Sequence, residues 1–236
     1  MASGHGVAAR PGTGSTDRAA KQLYRAAGIA ALALGLSYLV TIPIYAYAGT
    51  PPTSGEAWLR YLAGRTTAWW VILGLSVVTD LLYVPVALAL YQALESVRRN
   101  LMLVAIGFVG LFIVLDLAVT WSSHASLLML AGEYGSAGTD AERTALAAAA
   151  DYPASVIASP LERLYAIGLL SFAILLIGLV MLNSAFGKGT SYLAIVIGLL
   201  GVASIGGLTL TIIANALAAT VWVLMVGYRL VRLGFQ

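Results

Sequence analysis

The sequence predicts an all-α, polytopic membrane helix bundle of about six transmembrane helices. Three observations carry that expectation: composition, the lengths of the uncharged apolar runs, and the placement of the cations. Of the 236 residues, 60% are hydrophobic and only 10% are charged, with a mean hydropathy of +0.91. A soluble domain is about 45–50% apolar and about 25% charged, so too little charge is present here to cover a water-facing surface. Lipid is the expected solvent. The net charge is +3, but the basic residues are scattered at helix ends, a topological pattern that gives no nucleic-acid surface. With no cysteine, disulfides, thiol catalysis and cysteine metal sites are excluded.

In chain order, residues 1–25 are rich in Gly, Ala, Ser and Thr and are expected to form a disordered cytoplasmic tail. Residues 26–232 are expected to form a single six-helix transmembrane domain. The spans fall at about 26–47, 68–94, 101–122, 161–183, 191–207 and 211–231. At 1.5 Å per residue, runs of this kind cross a hydrocarbon core of about 30 Å. Ala46-Tyr47-Ala48 has the form of a signal-peptide cleavage site. The run before it exceeds the usual h-region of about 7–15 residues, so it is kept as the first helix. The region from Tyr192 to Leu230 is too long for one span, and Ser204, Gly206, Gly207, Thr209 and Thr211 mark the expected turn.

One connection is long and lies between the third and fourth spans, from His124 to Pro160. Thr139 and Glu142 have capping-box spacing, which predicts a short helix through Ala150 that Tyr152-Pro153 ends. Ser159 and Glu162 form a second such pair, with Pro160 in the first helical position, and start the fourth span.

The cations set the expected orientation. With the N-terminus inside, the cytoplasmic segments hold Arg10, Arg18, Lys21, Arg25, Arg98, Arg99, Lys188, Arg229 and Arg232. The outside holds Arg60, Arg65, Arg143 and Arg163 among a larger number of acids. Trp58, Trp69, Trp70, Trp121, Tyr47 and Tyr61 cluster at the expected outer boundary, where interfacial aromatics sit. The expectation is therefore N-in and C-in. Arginine greatly outnumbers lysine, a weak compositional pointer to a GC-rich prokaryotic genome, and the expected location is the prokaryotic plasma membrane.

Only two charges lie well inside spans, Asp80 and Asp116. Placing an ionised carboxylate at the centre of a span costs about 2.5–3.5 kcal/mol on the insertion scale. The second and third spans form a hairpin turning near Val97-Arg98, with each Asp about 17–18 residues from the turn, so equal rise per residue brings them to similar depth. Two ionised carboxylates side by side in low dielectric repel, so a proton or another cation is expected to lie between them. Ser76, Thr79 and Tyr83 flank Asp80, while Thr120, Ser123 and His124 follow Asp116. Asn215 and the Thr41–Pro43 segment fall at similar depth. The candidates for binding a cation or proton are thus Asp80, Asp116, Thr79, Tyr83, Thr120, His124 and Asn215. Interhelical hydrogen-bond glue is the bland alternative for each, worth about 0.6 kcal/mol on average, and His124 alone reads most simply as a solvated interfacial histidine.

Enzyme patterns are mostly missing. Thr79-Asp80 and Leu115-Asp116 lack the Gly-x-Gly-Asp sequence of intramembrane aspartyl proteases. Too few histidines are present for a zinc-dependent lipid hydrolase. Ser122 or Ser123 beside His124 is weak evidence for a triad. No catalytic residue, metal site or cofactor is assigned. Four-residue spacings of small residues (Ala194 and Gly198, Ala203 and Gly207, Ala214 and Ala218), with Gly107, Gly110, Gly168 and Gly178, are expected to let helices approach closely. A gapped echo between Asp116–Trp121 and Asn215–Trp222 is all that supports an inverted repeat.

The stretch Val86-Ala87-Leu88-Ala89-Leu90-Tyr91-Gln92-Ala93-Leu94, its continuation through Val97–Leu101, and the closing Trp222–Gly234 segment resemble a family of uncharacterised six-helix bacterial membrane proteins, a domain of unknown function. The resemblance spans roughly residues 25–234. It implies a six-span bundle and no activity. Three function classes follow from the residues. The first is a non-catalytic accessory or interaction subunit of a membrane complex. The second is a small transporter or channel-like protein with a proton or cation at the Asp pair. The third is a membrane-embedded lipid-modifying enzyme, against which the reading leans. The expected partners are the lipid bilayer and a membrane protein or a second copy of the chain.

Overall fold

Long runs of Leu, Ala, Val and Ile with few breakers favour helix, and in hydrocarbon helix is also what satisfies every backbone polar group within its own segment. The computed structural model describes residues 13–236, with side chains from residue 18 onward, and it is all-helical among them. Nine α-helices follow one another: α1 (Thr13–Ala48), α2 (Gly55–Leu62), α3 (Thr66–Leu115), α4 (Ser122–Ser136), α5 (Asp140–Ala158), α6 (Pro160–Arg163), α7 (Leu169–Met181), α8 (Lys188–Ser204) and α9 (Thr209–Phe235). Two π-helical turns interrupt them, Asp116–Trp121 between α3 and α4 and Leu164–Gly168 between α6 and α7. Among the described residues, four stretches are long and apolar enough to cross a membrane: Arg18–Ala48, Thr66–Ser136, Pro160–Met181 and Thr209–Phe235. Lys188–Ser204 is a shorter apolar helix.

A straight helix of the length of α3 would extend about 75 Å, yet its two halves touch. Arg98 leaves helical geometry at φ −151° and ψ 78°, and Tyr83 meets the ring of Phe112 edge-on with centroids 6.0 Å apart. Residues equidistant from Arg98 therefore face one another, and α3 is a hairpin of two antiparallel limbs.

The main core gathers α1, both limbs of α3, α7, α8 and α9 around residues such as Leu34, Leu90, Met102, Ile177 and Val226. Small residues set its closest crossings. A Cβ on Gly28 would lie 2.6 Å from Val231 Cγ2 and 2.7 Å from the Val231 backbone nitrogen, and one on Gly227 would lie 3.1 Å from the Gly28 carbonyl oxygen. α1 and α9 thus touch backbone to backbone. Between α7 and α8, Gly178 sits against Ala194 and Gly198 against Leu175. Gly107 and Gly110 were expected to pack in the same way, but a Cβ on either meets nothing within 4 Å. Both lie on an outward face of the second limb, so the structure corrects their assignment. Gly207, at φ +79°, is a turn residue between α8 and α9, where a Cβ would be strained.

A second, smaller core caps one end of the bundle. α2, α4 and α5 enclose Trp58, Leu59, Leu62, Trp69, Ile72, Leu127 and Leu128. Trp58 and Trp69 are each 1% exposed, so they are core residues of this cap and not the boundary aromatics expected from their position. Trp70 and Tyr47 are exposed. The connection expected from His124 onward is mostly helix, since α4 continues the preceding limb to Ser136. The Thr139–Glu142 box is present, with Glu142 N donating to Thr139 Oγ1 at 3.2 Å and Thr139 N to Glu142 Oε2 at 3.2 Å. Pro153 does not end the helix, which runs on to Ala158. Proline deprives the residue four before it of a donor, and that residue, Ala149, is exposed, where water can replace the lost bond. Ser159 Oγ accepts from Leu161 N at 3.1 Å and Pro160 opens α6.

At the opposite end, the expected tail is also corrected. Residues 1–12 lie outside the described residues, but α1 already runs from Thr13 through Arg25. Arg25 Nε donates to the Gly234 carbonyl at 2.6 Å, and its guanidinium lies 4.2 Å from the ring centroid of Phe235. This segment is docked on α9.

Candidate functional site

The hairpin does what the spacing from Arg98 predicts. Trp121 Nε1 lies 3.1 Å from Asp80 Oδ2 and 3.0 Å from Asp116 Oδ2, so one indole N–H is shared by the two carboxylates. Asp80 is 3% exposed and Asp116 5%. The local backbone explains how Trp121 reaches them. In an α-helix residues five apart point away from each other, whereas the i→i+5 geometry of a π-turn stacks them on one side. Asp116 opens such a turn and Trp121 closes it. Trp121 is therefore not the boundary aromatic expected from its position. Its five-residue spacing from Asp116 was the available signal, and the π-turn that gives it meaning has no clear sequence signature.

The pair stands on the wall of a cavity of about 270 Å³ inside the bundle. α1 contributes Tyr38, Thr41 and Tyr45, and the first limb of α3 contributes Ser76, Thr79 and Tyr83. Asn215 of α9 and Ser171 of α7 complete the polar part, while Phe112, Ile174 and Leu170 make it greasy between them. The second π-turn also reaches the wall, through Ala166 and Ile167.

Several hydroxyls and the amide of this wall spend their protons within the protein. Thr41 Oγ1 donates to the Ser37 carbonyl at 2.9 Å and Thr79 Oγ1 to the Ser76 carbonyl at 2.8 Å. Asn215 Nδ2 donates to the Ile197 carbonyl at 2.8 Å and to Ser171 Oγ at 3.3 Å. The hydroxyls of Tyr38 and Tyr83 are 3.2 Å apart and bonded to each other. A hydroxyl has one proton and two lone pairs, so threonines whose protons are spent on backbone can offer only acceptors. The Trp121 Nε1 donor is divided between the two acids. No donor reaches Asp116 Oδ1, which is buried without a hydrogen-bond partner.

Of the seven candidate residues, Asp80, Asp116, Thr79, Tyr83 and Asn215 line the cavity together. Thr120 is buried one helical step beyond Asp116 but is not on the wall. His124 is not on it either. It is 7% exposed and so is not a solvated interfacial residue. Its ring stacks on Trp69 with centroids 5.3 Å apart, meets Trp58 edge-on at 5.7 Å, and tilts against Trp121 at 5.3 Å. His124 Nδ1 is 2.9 Å from the Thr120 carbonyl, the geometry of a donated N–H bond. Ser122 Oγ donates to the Ala118 carbonyl, turned to its own helix. His124 therefore belongs to the aromatic cap and touches the acid pair only through Trp121.

Among the described residues, no three His, Cys, Asp or Glu side chains gather where they could hold a metal ion. No protein-family model matches the chain, and no curated protein or solved structure matches it. The likeness to the uncharacterised six-helix family rests on the apolar stretches that carry it.

Proposed function

We propose that this chain is a multi-pass membrane protein that binds a proton or another cation at Asp80 and Asp116, in the manner of a small transporter or channel-like protein. The single observation that carries the reading is the shared Trp121 N–H between two buried carboxylates on the wall of a cavity between the helices. Glue between helices needs neither an empty space beside it nor a second acid. An acid pair in low dielectric needs positive charge.

On this reading the hairpin of α3 supplies two spans, and α1, Pro160–Met181, α8 and α9 supply the other four. The basic residues Arg25, Arg98, Arg99, Lys188, Arg229 and Arg232 then lie toward the cytoplasm, with N-in and C-in topology in a prokaryotic plasma membrane. The cap of α2, α4 and α5 faces outward. Single-cysteine accessibility at positions 98 and 144 in intact cells checks that orientation.

The test of the site uses dicyclohexylcarbodiimide, an apolar reagent that modifies protonated carboxyl groups. Purified protein in mild detergent should be labelled at Asp80 or Asp116, by peptide mass, and labelling should fall as pH rises because the ionised form does not react. Asp80→Asn and Asp116→Asn should each abolish labelling at the changed position while keeping the elution profile of the folded protein. In proteoliposomes the same variants should lose proton movement down an imposed gradient. If both acids stay unlabelled at every pH and the variants move protons like the wild type, the reading fails. Co-purification of a fixed protein partner with unchanged stoichiometry in both variants would favour the accessory-subunit class instead.

A further inference from the structure

The cavity is larger than any bare ion. Its volume of about 270 Å³ far exceeds the roughly 10–15 Å³ of such space that one water needs, so it has room for several waters or a small molecule. Hard metal cations call for a shell of about six oxygen ligands at fixed distances. Here two carboxylates lie on one side, each with one oxygen engaged by Trp121, and much of the remaining wall is aromatic or aliphatic. Tyr38, Tyr45, Tyr83 and Phe112 bring ring surfaces, and Ile174 and Leu170 bring alkyl surface. Ring faces attract cations, most of all weakly hydrated ones that can be stripped of water.

The wall thus sets two requirements for an occupant. It must carry positive charge, to answer the acids. It can bring its own donors, because Thr41 and Thr79 spend their hydroxyl protons on backbone and leave lone pairs on the wall beside the acids. It must also present an apolar body to the rings. We propose that the cavity binds a small organic amine in its ammonium form, with the nitrogen at Asp80 and Asp116 and the apolar body against Tyr38, Tyr45, Tyr83 and Phe112. The assignment rests on the cation-binding reading of the same acid pair and names its ligand class. Charge balance is simple. With one proton held between the carboxylates, the pair carries a single negative charge, which one ammonium neutralises, and its N–H groups can donate to the threonine hydroxyl oxygens of the wall.

The experiment is equilibrium binding of radiolabelled benzylamine to the full chain in detergent, with sodium, potassium and phenylacetate as competitors. The expected result is saturable binding that neither metal ion displaces at a hundredfold excess and that phenylacetate, the same ring with an anionic group, leaves untouched. Asp116→Asn should weaken it at least tenfold, and so should Tyr45→Ala, which removes a ring but no charge. Asp116→Glu should recover part of the affinity, separating charge from fold. Intact carbodiimide labelling with no benzylamine binding, or binding insensitive to Tyr45→Ala, overturns the amine assignment while leaving the proton or cation site standing. Loss of both labelling and binding in the wild type removes the site itself.

Discussion

Where α1 meets the C-terminal half of α9, Gly28, Gly35, Gly227 and Gly234 let side chains and backbones of the two helices touch. Toward the cap the same two helices instead line a cavity, through Thr41 and Tyr45 on one and Asn215, Ala216 and Ala219 on the other. The closed end uses regular helix and small residues. The hollow half collects the irregular backbone: Pro43 in α1, Pro85 in α3, and the π-turns at Asp116–Trp121 and Leu164–Gly168. Regular helices packed through glycine leave no room, so a space inside a narrow bundle needs backbone that departs from the regular register. Both π-turns place residues on the cavity wall, in keeping with the frequent occurrence of such turns at functional sites. The closed end holds the bundle together, and the hollow half can then tolerate two buried acids.

The largest expected effect breaks the closed end. Gly28→Leu places its Cβ 2.6 Å from Val231 Cγ2 and 2.7 Å from a backbone nitrogen. Rotation of a side chain can relieve the first contact but not the second, so α1 and α9 must separate. Overpacking in well-packed cores costs about 1–3 kcal/mol, and a backbone clash should fall at or above the top of that range. Thermal unfolding in detergent should show a large drop or no folded peak at all. Gly110→Leu, where a Cβ meets nothing within 4 Å, is the matched control and should be silent. Equal damage from the two would mean that the contrast between packed and outward glycines is wrong.

These two glycines also show what sequence can and cannot carry. Gly28 and Gly110 sit in similarly apolar runs, and nothing local tells which faces a neighbour. That information lies in the helix crossing, and so the small-residue expectation held at Gly178, Ala194 and Gly198 but not at Gly107 or Gly110. Asp80 and Asp116 were legible for the opposite reason. A charge in a long uncharged run stands out, and equal spacing from a basic turn at Arg98 fixes relative depth by rise alone. Trp121 was hidden because an α-helical register turns it away from Asp116. The cap was hidden in part because α2 is only eight residues long and its core is assembled from residues of five separate helices.

A middle-sized effect sharpens the hollow half. Trp121→Phe keeps an aromatic ring beside His124 but removes the N–H shared by Asp80 and Asp116. Leaving buried acceptors without their donor costs about 1–3 kcal/mol, and here one change strips two carboxylates at once. Adding Asp80→Asn should restore much of the loss, because an amide can donate to Asp116 where the indole did. The double variant should then be more stable than Trp121→Phe alone, a non-additivity that contacting residues show and distant ones do not. Plain addition of the two effects would mean that the indole does not bridge the acids.

The smallest effect concerns how the cap is fastened. Ser54 precedes α2 in the N-cap position but makes no side-chain capping bond. The Gly55 amide donates instead to Asp151 Oδ1 of α5 at 2.9 Å, so one helix terminus is satisfied by a carboxylate from another helix. The crossing is tight enough that a Cβ on Gly55 would lie 2.5 Å from the Asp151 backbone nitrogen. An anion at a helix N-terminus is worth about 0.3–1 kcal/mol when exposed and up to about 2 kcal/mol when partly buried, and salt screens it. Asp151→Ala should therefore leave global unfolding nearly unchanged while speeding amide exchange across Gly55–Leu62. Asp151→Asn keeps an acceptor without the charge and should fall between the two. Raising the salt should narrow the gap between wild type and Asp151→Asn, since only the charge is screened, and should leave the gap between Asn and Ala in place. Exchange in α2 that ignores both substitutions would show that the aromatic core around Trp58 fastens the cap without help from this bond.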